Sequence, residues 1–243
     1  MNKRAAQICL GVAALAGAAY GVYACTTWLR YGRLRRPRRG ETDPLLDRFM
    51  PTYEVVERHH LHVDAPAEVT FASACDMDFA DSRIVRTVFK GRELLLRGKP
   101  AGNELPRGLL AKTKALGWGV LAEVPGREIV MGAVTQPWMP NVEFHALSPD
   151  EFATFRDPGY VKIAWTLRAD PVTSTSSIFR TETRVLACGP VPRSKFRKYW
   201  AFLSPGIILI RLAMLGPVKR EAERRARNAE RPQPCQAVVE NPA

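Results

Sequence analysis

RSKFRKYWAFLSPGIILIRLAMLGPVKREAERRAR, residues 193–227, is the stretch that decides the fold. Phe196, Tyr199, Trp200, Leu203, Ile207, Ile210 and Met214 recur at threes and fours, so one long helix carries an aromatic and aliphatic face. Pro205-Gly206 predicts a kink within it. Residues 206–215 are apolar almost all round, which a helix tolerates when a sheet clasps it or lipid covers it, and clasping is the expectation here. The basic run from Lys219 to Arg231 is broken by Glu221, Glu223 and Glu230, the pattern of a solvated helix end. From Pro232 onward the composition is that of a disordered tail.

Upstream of the helix the period changes. Apolar runs of strand length cover 119–124, 128–135, 151–156, 161–169 and 176–187, separated by Pro125-Gly126, Pro149-Asp150, Asp157-Pro158-Gly159 and Asp170-Pro171. Strands joined by such short turns predict a meandering antiparallel sheet. A further strand is read at Tyr53 to Val63. Helix-start chemistry follows, with Asp64 as a cap and Pro66 in the first turn of a helix to about Ala74. A second helix is predicted from Ser82, capped by Asp81 or Ser82, to about Leu95, and another helical stretch over Leu105 to Leu116. The fold class is therefore α+β, with no internal repeat.

The first thirty residues belong to another class. Ala5 to Leu29 holds no charged residue, and about 25 residues at the helical rise extend about 37 Å, enough for a hydrocarbon core of about 30 Å. Tyr20, Tyr23 and Trp28 cluster toward its end, as interfacial aromatics do. Arginines at 30, 33, 35, 36, 38 and 39 then form a basic stop that favours retention in the cytoplasm. A cleaved signal peptide is the rival, with Lys3 and Arg4 as its basic start and Val22-Tyr23-Ala24 before Cys25 as its cleavage site. The expected organisation is an anchor over 1–29, a basic stop and linker over 30–51 with one helical turn at Leu45 to Met50, a domain over 52–231, and a tail over 232–243. The net charge of +12 would raise nucleic acid as a partner, but the charge sits beside the anchor and at the end of the last helix, so no nucleic acid is expected. Five cysteines without paired spacing carry no disulfide framework or zinc motif.

Three pieces in order along the chain carry a family resemblance: His62-Val63-Asp64-Ala65-Pro66-Ala67-Glu68-Val69, the strand Ile178-Phe179-Arg180-Thr181-Glu182-Thr183-Arg184-Val185, and Phe196-x-x-Tyr199-Trp200. Over about Thr52 to Glu223 the chain resembles the START-like superfamily of polyketide cyclases and lipid-transport proteins, also called SRPBCC. The resemblance implies a helix-grip fold, a curved antiparallel sheet wrapped around the long C-terminal helix with two short helices near the start, and an apolar cavity between them. It also implies a lipid or other apolar small molecule as partner, and in some members cyclisation or dehydration. On that basis the cavity is expected to be lined by Val120, Ala122, Val130, Phe155, Ile163, Trp165 and Phe179, and closed by Phe89, Tyr199, Leu203 and Ile207. Each is equally an ordinary core residue.

Catalytic signals are thin. No phosphate-cradling glycine motif, nucleophile elbow or carboxylate pair is legible, and no cofactor is expected. His60 and His62 share a strand face but lack further ligands at metal spacing. Asp76, Asp78 and Asp81 lack the spacing of a calcium loop and read as loop solvation and capping. Glu182 and Arg184 either face the cavity as a polar pair for a ligand's head or form a cross-strand surface pair. The three functional readings are a membrane-tethered binding module, a cyclase- or dehydratase-like enzyme in the same cavity, and a packed scaffold.

Overall fold

In the computed structural model the described residues are 3–31, 42–78, 86–88, 90–91 and 106–230. The sheet has six antiparallel strands: β1 (Val55–Val63), β2 (Gly119–Val124), β3 (Glu128–Thr135), β4 (Phe144–His145), β5 (Val161–Pro171) and β6 (Ser177–Ala187). Their spatial order is β1-β6-β5-β3-β2, with β4 on β3. The turn signals make this order. Gly126, at φ 71°, supplies the positive φ of the β2–β3 turn, and the chain reverses again over 172–176 between β5 and β6. β1 closes the sheet on the outer edge of β6, pairing Glu57 with Thr183 and His59 with Thr181.

The helices are α1 (Lys3–Arg30), α2 (Pro44–Asp47), α3 (Ala67–Asp76), α4 (Leu109–Ala115), α5 (Pro149–Thr154) and α6 (Pro190–Glu230). α6 runs 41 residues and passes Pro205 and Pro217 without ending. The arrangement is a helix grip. α3 and the second half of α6 cover one side of the sheet, where Ile129, Met131, Leu167 and Phe179 pack with Phe71, Val218 and Ala222. α2 and α5 cover the far side, where Leu46, Met50, Tyr53 and Phe152 pack on Val130, Val134 and Ala164. Covering on both sides explains why all eight residues of β3 are buried.

Several expectations change. The run 151–156 is not a strand: Ser148 and Glu151 form a capping box, Pro149 starts the helix, and α5 results. Asp64 does not cap α3, whose N-cap is Pro66; Asp64 instead lies 3.4 Å from Lys219 Nζ. The turn expected at 45–50 is α2, with Asp43 accepting from Leu46 N at 2.9 Å, but it is no plain linker, since Leu46 and Met50 are buried against the sheet. The helix read from Ser82 to about Leu95 lies outside the described residues except for 86–88 and 90–91, which are helical. The caps Asp81 and Ser82 and the tail from Pro232 also lie outside them.

α1 is apolar and outward-facing, with Ile8, Leu10, Val12, Leu15 and Val22 all more than 60% exposed. Its last turns lie on α6. Tyr20 donates to the Phe202 carbonyl, Tyr23 Oη is 3.0 Å from Ser204 Oγ, and Arg197 donates to the Trp28 carbonyl at 2.8 Å while its guanidinium covers the Trp28 ring. Tyr31, just past the helix, is buried against Phe196 and donates to Glu54 at 3.0 Å. Glu54 also accepts from Arg193. The described cysteines, Cys25, Cys75 and Cys188, are free.

Candidate functional site

Strand parity divides the expected cavity residues between the two sides of the sheet. Val120, Trp165 and Phe179 face α6 in the cluster with Met131 and Val218. Ile163, Tyr199 and Ile207 meet beside Phe196 and Trp200. Leu203 is half-buried on the same helix. Leu203 apart, the structure gathers these residues around the sheet–helix interface. Val130, Ala122 and Phe155 lie on the far side with Leu46 and Phe152. Phe89 lies outside the described residues.

Glu182 and Arg184 do not face the cavity; Glu182 makes a cross-strand pair with Arg58 opposite it on β1, buried rather than on the surface. Glu182 and Arg184 point to the far side, where the fully buried Arg184 donates to Glu182 at 2.6 Å, to Asp47 and to the Met50 carbonyl at 2.7 Å. Arg58 completes the set, donating to both Glu182 oxygens at 2.8 and 3.0 Å. These groups fasten α2 to the sheet. Two strongly shifted titrating groups also lie on this side. Burial, reinforced by the neighbouring Asp43 carboxylate, pushes Glu128 up to about 8, with Arg168 opposing from 4.0 Å. Burial, helped by Arg156, pulls Lys162 down to about 8, where its Nζ donates to the Ala153 carbonyl at 3.1 Å.

Between the sheet and α6 there is a polar group that the sequence reading did not single out. Glu57 and His59 on β1 and Thr181 and Thr183 on β6 stand on the helix-facing parity and are paired across the two strands. Trp165 on β5 continues the row beside Thr183, and Met131 and then Val120 extend it across the sheet. Arg211 descends from α6 onto this row: its Nη1 lies 3.3 Å from Thr181 Oγ1 and its guanidinium carbon 5.8 Å from the Trp165 ring centre. His59 Nε2 is 4.0 Å from Glu57 Oε2. The Nε2 of His59 and the Oγ1 of Thr183 are buried atoms with no hydrogen-bond partner among the described residues. Yet Glu57, His59, Thr183, Arg211 and Ile163 all keep partial solvent exposure, so α6 does not seal the sheet here.

Burial sets the charges of this group. It raises the Glu57 carboxyl, which Arg211 partly counters. It lowers the His59 imidazole, with Arg211 and His60 acting in the same direction. It pulls the Arg211 guanidinium down to about 10, with Glu57 opposing. His59 is therefore neutral at pH 7, with one ring nitrogen available to donate or accept. The lone charge inside the apolar run 206–215 was the available sequence signal for Arg211.

The other candidates are already committed. His60 and His62 are exposed on the edge strand, with His62 Nδ1 3.3 Å from Asp64. Asp76 pairs with Arg225 and Asp78 with Lys112, both at 2.9 Å, and Asp81 lies outside the described residues. An open cleft of about 430 Å³ between the end of α3 and α6 is lined by Asp76, Asp78, Arg220, Arg224 and Arg225, a mixed set largely tied up in ion pairs. Among the described residues no cluster of metal-ligating side chains occurs.

No family model and no curated protein matches the chain. Solved structures do. A conserved protein from Geobacillus kaustophilus is 9% identical, with 72% of this chain and 97% of that one covered and a TM-score of 0.33. Norcoclaurine synthase from Thalictrum flavum is 12% identical, covering 70% of this chain and 95% of its own, at 0.34. A Streptomyces aromatase/cyclase is 15% identical, covering 72% and 98%, at 0.23. Identities and TM-scores this low carry neither a family nor an activity over to this chain.

Proposed function

We propose that the chain is a membrane-tethered binding module holding a lipid or other apolar small molecule between the sheet and α6. The observation that supports this most is the polar group under Arg211. Buried polar atoms in folded proteins are hydrogen-bonded in the great majority of cases, and an unpartnered one calls for an explanation. A bound molecule whose polar end reaches His59 Nε2 and Thr183 Oγ1 supplies that partner, while Ile163, Trp165, Tyr199 and Ile207 offer the apolar surface around it. The tether reading draws on α1, whose 28 residues extend about 42 Å with outward apolar side chains, and on the basic stop that would hold the domain on the cytoplasmic side.

Native mass spectrometry of the full chain released from nanodiscs, followed by extraction and identification of what is bound, tests the proposal. A stoichiometric apolar molecule is expected. A chain that emerges empty and also fails to take up apolar probe dyes overturns it in favour of a packed scaffold.

A second reading has one observation in its favour. Burial favours the neutral forms of both His59 and Glu57, which stand 4.0 Å apart, and such a pair can serve as base and acid in a cyclisation or dehydration. Turnover of a bound molecule that His59→Gln stops, while binding persists, would separate enzyme from carrier.

A further inference from the structure

We infer that the molecule held under α6 carries an anionic head, a carboxylate or a phosphate, that pairs with Arg211; this rests on the binding-module reading above. Arg211 has a hydrogen bond only to the neutral Thr181 hydroxyl and a contact with the Trp165 ring, and among the described residues no carboxylate lies within ion-pair distance of it. A guanidinium that keeps only partial contact with water and has no anionic partner is costly, and a ligand's anionic head would supply the missing charge. Among the described residues Glu57 acts on Arg211 through space without an ion-pair contact, and its Oε2 stands 4.0 Å from His59 Nε2. The other groups around Arg211 can also serve an acceptor. The hydroxyls of Thr181 and Thr183 donate, and a neutral His59 donates from Nε2 in one tautomer.

The tail direction follows from the row across the sheet. From Thr183 the helix-facing positions run to Trp165, Met131 and Val120, all uncharged and increasingly apolar. Met131 and Trp165 are buried there, so a head at Arg211 leaves the tail beside the half-buried Ile163, Tyr199 and Ile207. A guanidinium holds a carboxylate or phosphate through charge-assisted hydrogen bonds of roughly twice the ordinary strength, which a fatty alcohol of the same length cannot form.

The test uses the full chain in phosphatidylcholine nanodiscs, with palmitate, palmitoyl lysophosphatidate and cetyl alcohol offered separately and occupancy read by native mass spectrometry. Arg211→Gln is expected to lower occupancy by the two anions about tenfold relative to wild type while leaving the alcohol within about twofold, and Arg211→Lys to restore most of the anion binding. Whichever anion depends more on Arg211 identifies the head as carboxylate or phosphate. Equal loss of acid and alcohol in Arg211→Gln overturns the inference, because Arg211 would then only shape the fold. Wild type taking the alcohol to the same occupancy as the acid also overturns it but leaves the carrier reading standing. Failure of all three probes to bind removes both.

Discussion

Arg184 is fully buried, with Glu182, Asp47 and the Met50 carbonyl around it. Removing one partner of a buried ionic set strands the others, so Arg184→Ala is expected to destabilise the domain by about 3 kcal/mol, read as a shift in the urea midpoint. Glu128 gives a pH dependence of definite sign. Its folded pKa, about 8, lies above the ordinary carboxyl value of 4.5, so its contribution to stability is fully present below about 4.5 and is lost as pH rises toward 8. Urea midpoints should therefore fall across that window, and Glu128→Gln should flatten the fall; an unchanged profile would show that another group titrates. At this scale the sequence is least legible. In Val-Val-Glu-Arg-His-His-Leu-His-Val of β1, polar residues occupy both parities, so nothing in the string says that Glu57 and His59 face the helix while His60 and His62 face away. The same ambiguity leaves the facing of Glu182 and Arg184 open in the sequence, and only the partner strand and α2 decide it.

Elements were more legible, because turns and caps are local. The strand starting at Gly119, the Pro-Gly turn after it and α3 beginning beside Pro66 follow from chemistry within a few residues. α5 was equally local and was misread: the apolar Phe152 and Phe155 read as a strand, although Ser148-Pro149-x-Glu151 spells a helix start. Ser148→Ala should cost about 1 kcal/mol through the lost cap, measurable by thermal unfolding. α2 differs in kind. Nothing in its four residues announces that the chain between anchor and domain is core, yet Leu46 is fully buried. Leu46→Ala is expected to cost about 2–4 kcal/mol, whereas a true linker position would cost nothing measurable. Gly132 adds a steric counterpart: a Cβ there would meet Leu121 Cδ1 at 2.5 Å and Phe152 Cε2 at 3.1 Å, so Gly132→Val should prevent α5 from seating.

At the scale of the whole molecule, a long apolar helix at one end and a gripped helix at the other were both readable from periodicity and charge, because composition over tens of residues is robust to local error. Their mutual contact was not readable, since it joins positions far apart in sequence through single side chains such as Tyr23 with Ser204 and Arg197 with Trp28. If α1 spans a bilayer, the chain will stay in the pellet after alkaline carbonate extraction, and deletion of residues 1–22 will release it to the supernatant; release of the intact chain would refute the span. Tyr31 carries a further consequence. Its burial against Phe196, with its hydroxyl on Glu54 and Arg193 on the same carboxylate, joins the stalk to the body by contacts within the fold. If α1 is set in a bilayer, a body fixed to it in this way would not swing freely between two membranes. On the proposed reading, its traffic would be confined to the leaflet beneath it, and it would act as a stationary berth at which molecules arrive and leave by lateral diffusion.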